Sequence, residues 1–164
     1  MDYALMIAQQ AAQVGAALQA QGLRLAAAES CTGGWLAKAV TDISGSSAWF
    51  ERGFVTYSNQ AKQDMLGVPL QVLQQHGAVS EACVLSMAEG ALRHSLADCS
   101  VAISGIAGPG GATPDKPVGT VWIAWARRGE NAVARPYLFM GDREAVRAQA
   151  VLAGLAGILD VVGH

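Results

Sequence analysis

The stretch Leu23-Arg24-Leu25-Ala26-Ala27-Ala28-Glu29-Ser30-Cys31-Thr32-Gly33-Gly34 runs from a short apolar segment into a polar turn with paired glycines, and Trp35 to Ile43 then resumes at helical spacing. A run of strand length, a turn and a helix in that order make a strand-turn-helix unit. Before it, Leu5, Ala8, Ala12, Val14 and Leu18 recur at helical spacing between Ala4 and Ala20, and Gly22 follows as a stop. The chain therefore opens α-β-α, with Ser30 to Gly34 on the turn.

Downstream, Gly53 to Asn59 alternates Phe54, Thr56 and Ser58 against Val55 and Tyr57 and reads as a second strand. Asn59, as N-cap, then opens a short helix carrying Lys62. Further helices are predicted around Pro69 to Gln75 and from Ser80 to Leu96, the latter with Ser80 as N-cap and Glu81 suiting the dipole. Ser100 to Ser104 has a buried-strand pattern and enters the loop Gly105-Ile106-Ala107-Gly108-Pro109-Gly110-Gly111, long enough to carry a function. Val118 to Arg127 and Val133 to Met140 form an antiparallel hairpin around Arg128-Gly129-Glu130-Asn131, and Gly141-Asp142 caps a last helix ending near Val162. The order predicts an α/β fold: a three-layer α/β/α sandwich with a mixed sheet including an antiparallel hairpin. With 164 residues and no linker, the expectation is a single domain over residues 1–164.

Hydrophobic residues make up 52% of the chain and charged ones 15%, which excludes a disordered polymer. A formal charge of −2 and a pI near 5.8 give no general attraction for nucleic acid or anionic lipid, so neither is expected as a partner. Gly, Ser, Pro or charge interrupts each apolar run before the roughly 18–20 residues of a bilayer span, so no membrane segment is predicted. The N-terminus lacks the charged and apolar blocks of an export signal, which predicts a cytoplasmic protein. Cys31, Cys83 and Cys99 are scattered, so neither a disulfide framework nor a metal site is suggested.

Backbone N–H groups at a strand-to-helix turn can hold a phosphate or an oxyanion, which makes Ser30, Thr32, Gly33 and Gly34 candidates for chemistry. The same residues also suit plain capping and a tight turn. Neither phosphate-loop nor dinucleotide glycine pattern is present. His76, His94 and His164 are poorly placed for a Ser-His-Asp triad. If Ser30 is a nucleophile, a desolvated Lys62 could take its proton, with Tyr57 relaying or orienting that proton. Arg143, in a helical first turn where the dipole disfavours a cation, calls for an anionic partner such as Asp142 or a bound phosphate. Arg147 could share that duty or pair with Glu144. Ser104 and the following loop could hold a flat ligand.

Taken together, Ala28 to Gly34, Gly53 to Asn59 with Lys62, His76 to Ser80, Ser104 to Pro109, Lys116 to Val121 and Gly141 to Arg143 closely resemble the CinA C-terminal domain family. The resemblance runs in one order from about Leu25 to Arg147. It implies hydrolysis of the carboxamide of nicotinamide mononucleotide, with no metal or organic cofactor. It also implies Ser30, Tyr57 and Lys62 as catalytic residues and makes a homo-oligomer the expectation. Thr32, Gly33, Gly34, Ser104, Gly105 and Arg143 would bind substrate, the turn N–H groups stabilising an oxyanion and Arg143 the phosphate. Two rival readings remain at this level: a non-catalytic phosphate-ligand or partner-binding module, and a thiol hydrolase with Cys31 as nucleophile.

Overall fold

The computed structural model describes residues 1–163. Helix α1 (Tyr3–Gln21) leads into β1 (Leu25–Glu29), α2 (Trp35–Thr41) and, after a single 3-10 turn, β2 (Phe50–Val55). Three helices follow, α3 (Asn59–Leu66), α4 (Leu70–His76) and α5 (Glu81–Arg93), then β3 (Cys99–Gly105), β4 (Thr120–Arg127), β5 (Val133–Leu138) and α6 (Arg143–Val162). The strands lie in the order β2-β1-β3-β4-β5. The first three are mutually parallel; β4 runs antiparallel to β3, and β5 turns back along β4 to complete the predicted hairpin, with Ala124 opposite Ala134.

The two faces of the sheet differ in bulk. Leu25, Ala27, Val101, Ile103, Ile123 and Trp125 project towards α1, α2 and α6. Ala26, Ala28, Ala102, Ala124 and Ala126 project to the other side, against Leu66, Val84, Met87 and Leu92 of the α3 to α5 layer. Side chains alternate along each strand, so the sheet offers a floor of alanine to one helical layer and large apolar groups to the other. The expected three-layer sandwich results.

Helix α6 is long and apolar enough to cross a bilayer by length and composition, which the sequence pattern did not suggest; half of that span is buried inside the protein. Its apolarity is that of a core helix packed between α1 and the sheet. Strand β2 also departs from expectation, starting at Phe50 and ending at Val55 rather than spanning Gly53 to Asn59. Its backbone N–H and C=O pairing with β1, from Leu25 opposite Phe50 to Glu29 opposite Val55, sets those limits and leaves Tyr57 beyond the strand.

Gly157 lets α6 approach the sheet closely. A Cβ there would clash with the edge of the Trp125 indole, whose N–H donates to Gly154 O at 2.8 Å. Gly157→Ala is expected to destabilise the fold by about 1–3 kcal/mol through overpacking, read as a lower urea midpoint at unchanged m-value. An unaltered midpoint would mean that the helix can retreat freely.

Candidate active site

The chain leaves the C-terminal end of β1 between two parallel neighbours, β2 on one side and β3 on the other. In an open α/β sheet such a point leaves a crevice where ligands bind. Here Ser30 follows β1, Thr56 and Tyr57 follow β2, and Ser104 and Gly105 end β3. Main-chain bonds knit the three ends together: Ser30 N–H donates to Ile103 O at 2.9 Å, and Thr56 N–H to Glu29 O at 2.8 Å. A cavity of about 260 Å³ opens there, and Ser30, Tyr57, Lys62, Ser104, Gly105 and Arg143 all line it.

Lys62 reaches the cavity from the first turn of α3. Ser58 caps that helix, accepting from Ala61 N–H at 3.0 Å, where the sequence pattern pointed to Asn59. Asn59 is instead the first helical residue and lines the cavity. Although a lysine, Lys62 is only 1% exposed. Its Nζ donates to Thr56 O at 2.9 Å and to Ser30 Oγ at 3.0 Å. Burial pulls its pKa below the usual 10.5, against an opposing influence of Cys83 and Cys31. Desolvation penalises the ammonium, so the neutral amine is easier to reach here than on an exposed lysine. In that form the Ser30 hydroxyl can donate to the amine lone pair at the same separation.

The turn after β1 is held from within by Glu29, a residue to which the sequence reading gave no role. Its buried carboxylate accepts from Thr32 Oγ1 at 2.7 Å, Leu36 N–H at 2.9 Å and Ala37 N–H at 3.0 Å. Helix α2 is thus capped from the strand, while its own N-cap residue is Gly34, with φ near 99°. Neither Ser30 nor Thr32 acts as the cap. Gly33 N–H donates to Ser30 O at 3.0 Å and so is not a free oxyanion donor. Thr32, Gly33 and Gly34 line a separate depression with Trp35, Lys38 and Arg147 rather than the Ser30 cavity. The turn folds its second half away from the nucleophile because Glu29 draws Thr32 inward.

Arg147 locks the same turn from outside. Its guanidinium donates to Cys31 O at 2.9 Å and Thr32 O at 3.2 Å and lies over the Trp35 ring, 5.5 Å from its centroid. That geometry replaces the expected pairing with Glu144 or phosphate. Arg143, one turn earlier, faces the cavity mouth. It donates to Gly108 O at 2.8 Å and to the Tyr57 hydroxyl at 3.3 Å. Asp142 is occupied in capping α6 through Ala145 N–H. Among the described residues no carboxylate forms a salt bridge with Arg143. Tyr57, 64% exposed, stands at the mouth beside it. Ser104 Oγ lies at the cavity wall, buried and, among the described residues, without a hydrogen-bond partner.

Cys31 is buried, and desolvation pushes its thiol up to about 11 despite the nearby Arg147. A thiol in that state is a poor nucleophile. Among the described residues no group of three or more His, Cys, Asp or Glu side chains is placed to hold a metal ion. His164 lies outside the described residues.

Residues 7–162 match the family described as CinA C-terminal domain. The chain is 59% identical over 143 residues, 87% of each sequence, to the nicotinamide-nucleotide amidohydrolase PncC of Escherichia coli strain K12. It is 50% identical over 151 residues to the protein of the same name from Pseudomonas putida, covering 92% of this chain and 94% of that one. A crystal structure of the competence/damage inducible protein CihA from Agrobacterium tumefaciens superposes with a TM-score of 0.93 at 42% identity, covering 97% of this chain and 96% of that chain.

With a pKa of about 11, the Cys31 thiol is ionised at pH 8 in roughly one molecule in a thousand. Iodoacetamide at pH 8 is therefore expected to leave Cys31 unmodified in the native protein and to label it in urea, as read by mass spectrometry. Fast native labelling of Cys31 would reinstate the thiol reading.

Proposed function

Because the chain belongs to the CinA C-terminal domain family, we propose that it hydrolyses the carboxamide of nicotinamide mononucleotide to nicotinate mononucleotide and ammonia, with Ser30 as nucleophile and Lys62 as its base. One observation carries this reading: a lysine amine sealed from solvent, 3.0 Å from a serine hydroxyl, on the wall of a ligand-sized cavity. A nucleophile and a base within hydrogen-bond reach, the base oriented by a third group, form the minimal arrangement for acyl transfer. Thr56 O is that third group here. The relatives named amidohydrolases support the substrate.

In the proposed reaction the neutral Lys62 amine takes the Ser30 proton as Oγ attacks the carboxamide carbon. The Lys62 ammonium then returns that proton to the departing nitrogen, and ammonia leaves an acyl-Ser30 ester. Water attacks the ester, Lys62 takes its proton, and collapse of the second tetrahedral species restores the Ser30 hydroxyl. Ser104 Oγ is buried at the cavity wall with its hydrogen uncommitted, which suits it to donate to the carboxamide oxygen as negative charge develops there. With Gly33 N–H already engaged, this side chain is a better donor than the second half of the turn.

Arg143 would bind the substrate phosphate at the mouth, its charge facing only a carbonyl and a phenol among its hydrogen-bond partners. Tyr57, as the partner of Arg143, would hold that guanidinium in place and close the mouth; assistance to Lys62 is the second duty assigned to it. The proposal extends to a homo-oligomer in the cytoplasm. Exposed Leu138, the last residue of edge strand β5, and Met140 just beyond it support the first, and three free cysteines fit a reducing compartment.

Ammonia release from nicotinamide mononucleotide, measured with chelator present, is expected for the wild type and lost by at least about 10³-fold in Ser30→Ala. Binding of the mononucleotide by well-folded protein without release would instead favour the binding-module reading. Arg143→Ala is expected to raise KM for the mononucleotide by about tenfold or more, the size of a lost charge-assisted hydrogen bond, with little effect on the dephosphorylated riboside. Equal losses on both substrates would remove the phosphate role.

The pH dependence follows from the depressed pKa of Lys62. Only the neutral amine accepts a proton, so kcat/KM rises with pH to a plateau, with a midpoint below the ordinary lysine value of 10.5. The unfolded chain keeps the ordinary value and binds more protons, so this group's contribution to stability rises with pH between the native pKa and 10.5 and is unfavourable below that window. Lys62→Met is accordingly expected to be inactive yet more stable to urea at pH 7 than the wild type. A less stable variant would show that the amine's hydrogen bonds outweigh its desolvation.

A further inference from the structure

We propose that Glu29 is the positioning residue for the nucleophile, keeping the Ser30 hydroxyl available to Lys62 by taking over the capping of α2. The inference deepens the amidase reading and rests on it for the roles of Ser30 and Lys62.

A helix start presents backbone N–H groups without intrahelical partners, and a side-chain oxygen at or near the N-cap normally accepts from them. Helix α2 has glycine at that position, with no side chain to offer. The nearest hydroxyls on the chain are Thr32 and Ser30. Had either served as the cap, its oxygen would be committed to helix N–H groups. Glu29 removes that demand: one carboxylate oxygen accepts from Leu36 N–H and the other from Ala37 N–H. The remaining donor on the carboxylate is the Thr32 hydroxyl, so that side chain is also drawn away from the cavity. Ser30 Oγ is left facing Lys62.

The same residue also sets the reference for the base. Glu29 O accepts from Thr56 N–H at 2.8 Å, and Thr56 O accepts from Lys62 Nζ at 2.9 Å. Nucleophile and base are thus registered on one residue, the first through its side chain and the second through its main chain. Both contacts are buried. Glu29 does not line the cavity, so its influence is on the alignment of Ser30 rather than on substrate binding.

Glu29→Gln keeps the shape but replaces one accepting oxygen with an NH2 group that faces an N–H donor. Misplacement of a reacting atom by about 1 Å can cost about 10²-fold in rate. The variant is expected to lose about 10- to 100-fold in kcat, with KM for nicotinamide mononucleotide within about twofold of wild type. The rate at which a small sulfonyl fluoride modifies Ser30 is expected to fall in parallel. Thr32→Val, which removes one donor but leaves the carboxylate on the helix N–H groups, is expected to lose less on both measures. Urea unfolding establishes that each variant is folded. Wild-type kcat and Ser30 modification in folded Glu29→Gln, or a change confined to KM, would overturn the proposal. If Glu29→Gln does not fold, the test passes to Thr32→Val, and an unchanged modification rate there overturns it. A wild type modified at Ser30 that releases no ammonia from the mononucleotide would sink the substrate reading, while the comparison of modification rates would still decide the role of Glu29.

Discussion

Enclosing the Lys62 amine is the constraint on which the site depends. A charged ammonium inside a protein costs several kcal/mol in lost hydration, so enclosure shifts the balance of Lys62 towards the neutral amine and requires polar partners around it. Thr56 O and Ser30 Oγ occupy the near side. To bring Lys62 there, α3 must begin within a few residues of the end of β2, which the Ser58 cap accomplishes. Helix α5 packs against α3 and brings buried Cys83 into the electrostatic neighbourhood of the amine. The ends of strands β1 and β2, the start of α3 and the face of α5 are therefore fixed relative to one another by one side chain.

That closure is possible because the sheet is thin on this side. Ala26, Ala28, Ala102, Ala124 and Ala126 let the α5 layer come close, and Gly90 of α5 packs against the Leu66 backbone at the end of α3 with no room for a Cβ. Ser100 is the polar member of this floor, and its hydroxyl donates to Ala88 O at 2.7 Å. Alanine is a strong helix former and a weak strand former. The run from Ala26 to Ala28 is nevertheless a fully buried central strand, because the space between two helical layers admits nothing larger on one face. Tertiary packing decides here against local propensity.

Much of the architecture was legible because it is written in local signals. The Gly22 stop, the Ser80 and Asp142 caps and the short turn between β4 and β5 are all decided within a few residues. What escaped the sequence depends on contacts between distant segments. The limits of β2 come from pairing with β1, and Ser58 and Asn59 are equally good caps until that pairing sets where the helix starts. Ser30, Lys62, Tyr57, Ser104 and Arg143 were each legible as candidates, and the structure brings them to one cavity. The part of the turn beyond Cys31 misled because a glycine pair at a helix start looks like an anion cradle whichever way it faces. Glu29 was hidden for a related reason. A capping carboxylate is sought at the N-cap or three residues into the helix, and this one acts from the preceding strand.

Helix α6 shows how one element joins stability to the site. Its middle and end are core, with glycines admitting Trp125 and Ile103 of the sheet. Its first two turns carry Arg143 and Arg147, four residues apart and so on one face. Arg147 is consumed by the carbonyls of the nucleophile turn and the Trp35 ring, whereas Arg143 meets the loop after β3 and the Tyr57 hydroxyl. A shift of α6 along its axis would therefore disturb the nucleophile turn and the cavity mouth together. Packing of Gly154 and Gly157 on the sheet opposes that shift, so core contacts more than a turn away help to hold the spacing between Ser30 and Arg143. Close packing transmits displacement in this way because the interior has few voids to absorb it.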